Sequence, residues 1–179
     1  MALPPHVAHQ PLNPRIELLV HKISAIIHAN NDELRLGRAL ETLRPCDEVI
    51  VIDHGSTDRT RAIAQQYGAA VRTGVLGVKP GAYVAELKND WVLCLLPSES
   101  LSEALEASLF EWKQNEDAGT DHQVGYRIAV REETESGWKT LPAALRLVDR
   151  TRMNWSDELP PIHGEGPTLA GEILRFLQP

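Results

Sequence analysis

Two apolar runs, each followed at once by a short polar and acidic cluster, constrain the fold of this chain most strongly. Ile23–Ile27 leads into His28–Asp32, and Val49–Ile52 leads into Asp53–Asp58. Such runs of β-branched residues favour strands, and the segments between them have helical periodicity. Alternation of strand and helix predicts βαβ crossovers and a mostly parallel sheet with both faces covered. The polar clusters then lie at the carboxyl ends of strands, where ligands bind in open α/β sheets.

The rest of the chain predicts one domain over residues 16–179 behind a flexible leader of residues 1–15, which is rich in proline. In the first part we expect strands over 22–28, 48–53, 70–73 and 91–96, and helices over 32–43, 58–67 and 80–87. A capping box at Ser100 and Glu103 predicts a further helix to about residue 115. Antiparallel strands over 123–132 and 144–149, joined by a polar link, are expected to extend the sheet, and loop is expected after Trp155.

Composition excludes several classes of function. The chain has 25 acidic and 18 basic residues, which argues against a surface that binds nucleic acid. Cys46 and Cys94 have neither the spacing nor the context of a metal clip or a disulfide. No signal peptide and no transmembrane segment is apparent, so a cytoplasmic location is expected. No dinucleotide, P-loop or esterase motif occurs.

The cluster after the second apolar run has two interpretations. Asp53 could accept hydrogen bonds from a nucleobase or a ribose hydroxyl, with Gly55 giving a ligand ring room to approach. Alternatively, Asp53 and Gly55 make a turn, and Ser56 caps the helix that follows. The spacing alone favours the second interpretation at least as much as the first.

Residues 23–99 resemble the family 2 glycosyltransferases. His28–Asp32 stands where the family has Pro-Ala-Tyr-Asn-Glu, and Ile52–Asp58 matches its Val-Asp-x-Gly-Ser-x-Asp motif. The resemblance implies a GT-A fold, in which a mostly parallel nucleotide-binding sheet carries flanking helices and antiparallel additions in the carboxyl-terminal half. It also implies a nucleotide-sugar donor, with UDP as the expected nucleotide, and it assigns nucleotide binding to Ala29, Asn31, Asp32, Asp53, Gly55 and Ser56.

The third family motif, Asp-x-Asp, is degenerate. The family implies a divalent cation, Mn²⁺ or Mg²⁺, which would stabilise the departing diphosphate. Leu96 and Ser98 replace the two expected carboxylates, which leaves Glu99 as the candidate metal ligand. Glu99 could instead favour the first turn of the following helix through the helix dipole. That interpretation is preferred, because a single carboxylate seldom makes a protein cation site. The arginines at 127, 131, 146, 150 and 152 are alternative partners for a diphosphate.

The second half of the chain resembles bacterial enzymes that decorate lipopolysaccharide cores. Residues 144–150 are similar to their Leu-Arg-Leu-Phe-x-Arg strand, and residues 162–174 are similar to two later segments. The resemblance implies a glycan or lipopolysaccharide-type acceptor and assigns the catalytic base to His163 or Glu165. A homodimer is compatible with the sequence.

Three hypotheses therefore follow. The chain is an active transferase, or it is a catalytically inactive homologue that acts as a nucleotide-binding or interaction module, or it is a flavodoxin-like domain. The third ranks last, because Asp32 stands where a flavin phosphate would bind.

Overall fold

A computed structural model describes residues 21–115, 118, 123–155, 159 and 164–178. The amino-terminal half has strands β1 (Ile23–Ala29), β2 (Glu48–Asp53), β3 (Ala70–Thr73) and β4 (Trp91–Leu95). Helices α1 (Leu36–Glu41) and α2 (Thr60–Gln66) and the 3₁₀ helix Pro80–Glu86 connect them. The second half has β5 (Glu99–Leu101), helix α3 (Glu103–Gln114), and strands β6 (Gly125–Thr134), β7 (Gly137–Asp149) and β8 (Thr168–Arg175).

In the described residues, all of these strands form one sheet in the order β3-β2-β1-β4-β7-β6-β8-β5. Strands β1 to β4 are parallel to one another, and their register places Ala29 opposite Asp53 and Ile27 opposite Leu95. The carboxyl ends of β1, β2 and β4 therefore meet at one edge. The prediction of an α/β fold with a parallel amino-terminal half and antiparallel additions is confirmed.

Alternation along β1 builds a core on both faces of the sheet. Ile23 and Ile27 point to the face covered by α1 and α3, where they join Leu36 and Leu105. Ile26 points to the other face and joins a cluster with residues of the 3₁₀ helix. Complete burial of an isoleucine or leucine side chain contributes roughly 1.5–3 kcal/mol, so both layers hold the parallel strands in place.

The second half differs from the sequence prediction. Residues 133–139, expected as a link, form the end of a long hairpin in which Thr134 pairs with Gly137, and β7 begins at Gly137 rather than near residue 144. Residues 168–175, in the region expected as loop, form β8, which runs parallel to β6 and antiparallel to β5. Gly171 allows this strand to approach α3, because a Cβ there would lie 2.3 Å from the Leu105 nitrogen.

The start of α3 also differs from its prediction. Ser102, not Ser100, is the N-cap, and its hydroxyl accepts a hydrogen bond from the Leu105 amide at 3.2 Å. Ser100 lies in β5 and pairs with Leu174. Ser100, the predicted first residue of the capping box, is thus part of a short edge strand.

The predicted leader, residues 1–15, lies outside the described residues, and the division into a leader and one domain over 16–179 stays a prediction. No helix in the described part of the chain is long and apolar enough to cross a membrane.

Candidate functional site

A cleft of about 410 Å³ opens at the sheet edge where β1, β2 and β4 end. It is lined by His28, Ala29, Asn30, Asp32, Arg35, His54, Leu96, Pro97 and Ser98. All three segments that the sequence singled out contribute to this lining. A larger depression of about 600 Å³ lies between the 3₁₀ helix and residues 150–155. Of the predicted site residues it contains only Arg150, one of the arginines considered for the diphosphate.

Hydrogen bonds join the loop after β1 to the loop after β2. The Asn31 amide donates to Ser56 Oγ at 2.9 Å, and the Thr57 amide donates to Asn31 Oδ1 at 2.9 Å. The Asp32 amide donates to Thr60 Oγ1 at 2.8 Å. Asn31 adopts a left-handed backbone with φ of 55°, a conformation that asparagine tolerates better than most residues. Asn31 and Ser56, predicted to bind nucleotide, therefore connect the two loops.

A second set of cross-loop bonds lies directly before helices α1 and α2. Asp58 Oδ2 accepts from the Glu33 amide at 3.1 Å, and Glu33 Oε2 accepts from the Arg59 amide at 2.9 Å. Burial raises the pKa of Asp58, but hydrogen bonds from Thr60 and from backbone amides outweigh this effect and lower the pKa below its ordinary value. Helices α1 and α2 begin at Leu36 and Thr60, later than the sequence predicted, and the residues directly before them make these bonds.

Asp53 lies beneath the cleft rather than on its surface. It is 1% exposed, and its Oδ1 accepts from the Ser56 amide at 3.2 Å while Oδ2 accepts from Arg61 at 2.9 Å. Burial raises the pKa of this carboxyl, but the bonds from Ser56 and Arg61 outweigh it, so the pKa lies below its ordinary value. Asp53 thus fixes the loop that follows it.

The other predicted nucleotide-binding residues are placed differently. Ala29 and Asp32 line the cleft, and Asp32 Oδ2 accepts from the Asn30 amide at 2.8 Å. Gly55 is exposed, has φ of 80°, and has no neighbouring atom within 4 Å of the place where a Cβ would stand. That open space is compatible with the close approach of a ligand.

A pair of histidines lies in the cleft and was missed as a site by the sequence analysis. His28 Nδ1 and His54 Nε2 are 2.8 Å apart, so one nitrogen donates to the other. The ring of Tyr83 stands at a steep angle to both, with its centroid 5.6 Å from that of His28 and 6.5 Å from that of His54. Burial, reinforced by the neighbouring His54, lowers the pKa of His28 to about 4. His28 is therefore neutral at pH 7. The available signal was position, since both histidines stand at the ends of adjacent strands.

Arg35, which the sequence analysis also missed, lines the cleft at the N-cap of α1. It is half-buried, and within the described residues its guanidinium has neither an ion pair nor a hydrogen bond. The sequence feature that could have indicated Arg35 was its position three residues after Asp32, at the end of the polar cluster that follows β1.

The contacts of Glu99 match neither role expected for it. Its carboxylate is buried, and both oxygens are hydrogen-bonded to Arg146, at 2.9 and 3.0 Å. Arg175 donates twice more to Oε1, at 2.9 and 3.0 Å, and the Leu96 amide donates to Oε2 at 2.9 Å. Glu99 lies in β5, before the N-cap of α3. It is therefore a structural ion-pair partner rather than an open metal ligand or a helix-terminal acid.

The expected Mn²⁺ or Mg²⁺ does not fit the residues around the cleft. Leu96 has no ligand atom, Ser98 offers only a neutral oxygen, and Glu99 is occupied by the two arginines. Across residues 21–115, 123–155 and 164–178, no group of three or more histidine, cysteine or acidic side chains could hold a metal ion.

The five arginines considered as substitutes for a cation do not converge on the cleft. Their partners are the Ala143 carbonyl for Arg127, Glu172 for Arg131, Glu99 for Arg146, Asp90 for Arg150 and Asp149 for Arg152. None of them lines the cleft.

Residues 24–79 match the family model described as Glycosyl transferase family 2. This segment contains the loops after β1 and β2, here called the interlocked loops because hydrogen bonds join Asn31 to Ser56 and Thr57. The chain is related to the family 2 glycosyltransferases.

Curated relatives of this glycosyltransferase-related chain include an uncharacterized glycosyltransferase of Rickettsia bellii, 38% identical over 66% of this chain and 42% of the relative. Another is the lipopolysaccharide core biosynthesis glycosyltransferase LpsC of Rhizobium meliloti, 34% identical over 61% of this chain and 42% of the relative. The chain spans about two fifths of the length of these relatives. A solved structure of glucosyl-3-phosphoglycerate synthase from Mycobacterium tuberculosis with UDP is 22% identical, with a TM-score of 0.48. The match covers 69% of this chain and 51% of the synthase chain.

Of the two candidates for the catalytic base in this chain, the structure describes only Glu165. Glu165 is exposed and does not line the cleft. His163 lies outside the described residues. The assignment of a catalytic base to either residue stays a prediction.

Proposed function

We propose that this chain is the nucleotide-binding part of a family 2 glycosyltransferase that transfers a sugar from a UDP-sugar to a glycan or lipopolysaccharide-type acceptor. The observation that carries the proposal is the pair of interlocked loops, Asn31 with Ser56 and Thr57, beside a cleft at the carboxyl ends of parallel strands. The name of the Rhizobium meliloti relative supports the class of acceptor.

In this proposal the loops divide their tasks. Asp32 lines the cleft and has a carboxylate that can accept from a ribose hydroxyl or a base imide. Ala29 and Gly55 leave room for the nucleoside, while Asn31, Asp53 and Ser56 hold the loops in their positions. The buried Asp53 therefore acts on the nucleotide through the loop.

In the proposed transfer, an acceptor hydroxyl displaces UDP from the anomeric carbon of the sugar. The acceptor hydroxyl oxygen bonds to the anomeric carbon, the bond from that carbon to the diphosphate oxygen breaks, and its electron pair stays on the departing UDP. The hydroxyl proton passes to a base, for which His163 and Glu165 are the candidates. Leu96, Ser98 and Glu99 do not provide the ligands that would hold a divalent cation at the diphosphate.

The test is calorimetric titration of UDP into the full chain, once with Mn²⁺ and once with EDTA, followed by transfer assays with UDP-sugars. Asp32→Asn is expected to weaken UDP binding roughly tenfold or more, because a hydrogen bond to a charged group contributes about 1.5–3 kcal/mol. Asp90→Asn is the matched control, since Asp90 precedes β4 and so lies at the opposite edge of the sheet. Absence of UDP binding in both buffers would refute the proposal.

A catalytically inactive homologue that binds nucleotide is the second candidate. The occupied carboxylate of Glu99 and the degenerate Asp-x-Asp segment favour it. It predicts UDP binding without turnover of any UDP-sugar, whereas the first candidate predicts both. The cytoplasmic location and the homodimer stay predictions.

A further inference from the structure

We propose that Arg35 binds the diphosphate of the donor and supplies the positive charge that a metal ion would otherwise bring. This inference rests on the proposed function, because it names the group that contacts the phosphates in the same cleft. The acidic motif that would hold a metal is absent, and a diphosphate still requires a cationic partner.

The lining of the cleft supports this assignment. Arg35 is the one arginine or lysine among its lining residues, and it shares the cleft with Leu96 and Ser98, which stand at the positions of the lost acids. His28 and His54 face the same space, but the two rings are hydrogen-bonded to each other, and His28 is neutral at pH 7. The described residues therefore provide one permanent cation at this place.

Within the part of the chain that the structure describes, no carboxylate forms an ion pair with Arg35. Asp32, Glu33 and Asp58 stand nearby around a smaller hollow that Arg35 also lines. None of them forms an ion pair with it, because Asp32 accepts from Asn30, and Glu33 and Asp58 accept from amides of the opposite loop. By contrast, Arg61 and Arg146 are each bonded to a buried carboxylate. A ligand could therefore bind to Arg35 without breaking an existing ion pair.

The chemistry of a guanidinium suits this role. Its planar fork can donate two parallel hydrogen bonds to phosphate oxygens, and it stays charged at every physiological pH. During transfer the bond between the anomeric carbon and the diphosphate oxygen breaks, and its electron pair adds negative charge to UDP. A guanidinium on that diphosphate stabilises the charge as it develops.

The test is calorimetric titration of UDP into the full chain with EDTA present throughout. Arg35→Gln is expected to weaken UDP binding roughly tenfold to a hundredfold, the range for a charge-assisted hydrogen-bonded pair. Arg59→Gln is the matched control, because Arg59 is the N-cap of α2 as Arg35 is of α1, yet it is exposed and does not line the cleft. Arg59→Gln should change UDP affinity less than twofold.

Two further measurements separate the role of charge from an effect on folding. Arg35→Lys keeps the charge but loses the fork, so its affinity should lie between wild type and Arg35→Gln. The loss of affinity in Arg35→Gln should be larger for UDP than for UMP, since Arg35 acts on the diphosphate. Thermal unfolding of each variant, followed by circular dichroism, shows whether the fold is retained.

The outcomes distinguish this inference from the proposed function. Equal UDP affinity of wild type and Arg35→Gln overturns the role of Arg35 and leaves nucleotide binding intact. UDP binding that requires Mn²⁺ and disappears in EDTA also overturns it, because the cation is then a metal. No UDP binding by wild type in either buffer refutes the proposed function and this inference together.

Discussion

Asp53, the last residue of β2, and Glu99, the first residue of β5, are both carboxylates that are 1% exposed, yet their surroundings differ. Asp53 is bonded to one backbone amide and to Arg61, whose side chain is 43% exposed. Glu99 is bonded to two guanidiniums, and Arg146 is itself buried. Asp53 therefore stabilises a partly exposed loop, whereas Glu99 belongs to a buried cluster of charged side chains with Arg146 and Arg175.

This difference matches the state of the two family motifs, one intact and one degenerate. After β2 the motif is intact, and its acid supports a loop that borders the cleft. After β4 the expected acids are replaced, and the remaining acid pairs with arginines of β7 and β8. In both cases a neighbouring arginine binds the carboxylate, and what differs is the number and the burial of the arginines.

The largest effect is expected when Glu99 is removed. Glu99→Ala leaves Arg146 buried without a counter-charge, so we expect the free energy of unfolding to fall by about 3–5 kcal/mol. Urea denaturation followed by circular dichroism measures this change. Asp90→Asn, which breaks the ion pair of an exposed acid, should cost less than about 1 kcal/mol and is the control. A loss below about 1 kcal/mol for Glu99→Ala would contradict the structural role of the cluster.

A smaller effect is expected at Asp53. Asp53→Asn removes the charge opposite Arg61, which remains partly solvated, so we expect a loss of roughly 1–3 kcal/mol. The same variant should also weaken UDP binding in calorimetry, because the loop that carries Gly55 and Ser56 is less well fixed. Full stability combined with lost UDP binding would instead indicate that Asp53 contacts the nucleotide directly.

The smallest effect concerns pH. Because the pKa of His28 is about 4 in the folded protein and 6.5 in an unfolded chain, the unfolded state binds more protons between these values. The free energy of unfolding should therefore fall as pH decreases from 6.5 to 4, by roughly 1–2 kcal/mol after allowance for the partial exposure of the ring.

Denaturant titrations at several pH values test this dependence, with His28→Phe as the comparison variant. The variant should lose most of the change between pH 6.5 and 4 and keep the steeper acid loss below it, which comes from carboxyls such as Asp53 and Asp58 whose pKa values are lowered. An unchanged profile in His28→Phe would assign the dependence to another group.

The first half of the fold was predictable because its signals are local. Strands 48–53 and 70–73 have the predicted bounds, since each apolar run is framed by polar or glycine residues. The second half was less predictable. Strand β8 forms its hydrogen bonds with β6 and β5, which are distant in sequence. Most of its residues are exposed or partly exposed, so its sequence lacks the regular alternation of apolar and polar residues that predicts a strand.

The candidate site divides in the same way. The sequence by itself determined the parallel half of the sheet, the two loop motifs and the loss of the acidic pair, because residue type and spacing encode these features directly. Only the tertiary structure decided that Glu99 pairs with Arg146 and Arg175, that Asp53 lies beneath the cleft, and that Arg35 has no ion-pair partner among the described residues. The physical reason is that a charged side chain acquires its role from the charges that the fold brings beside it, and these come from distant strands.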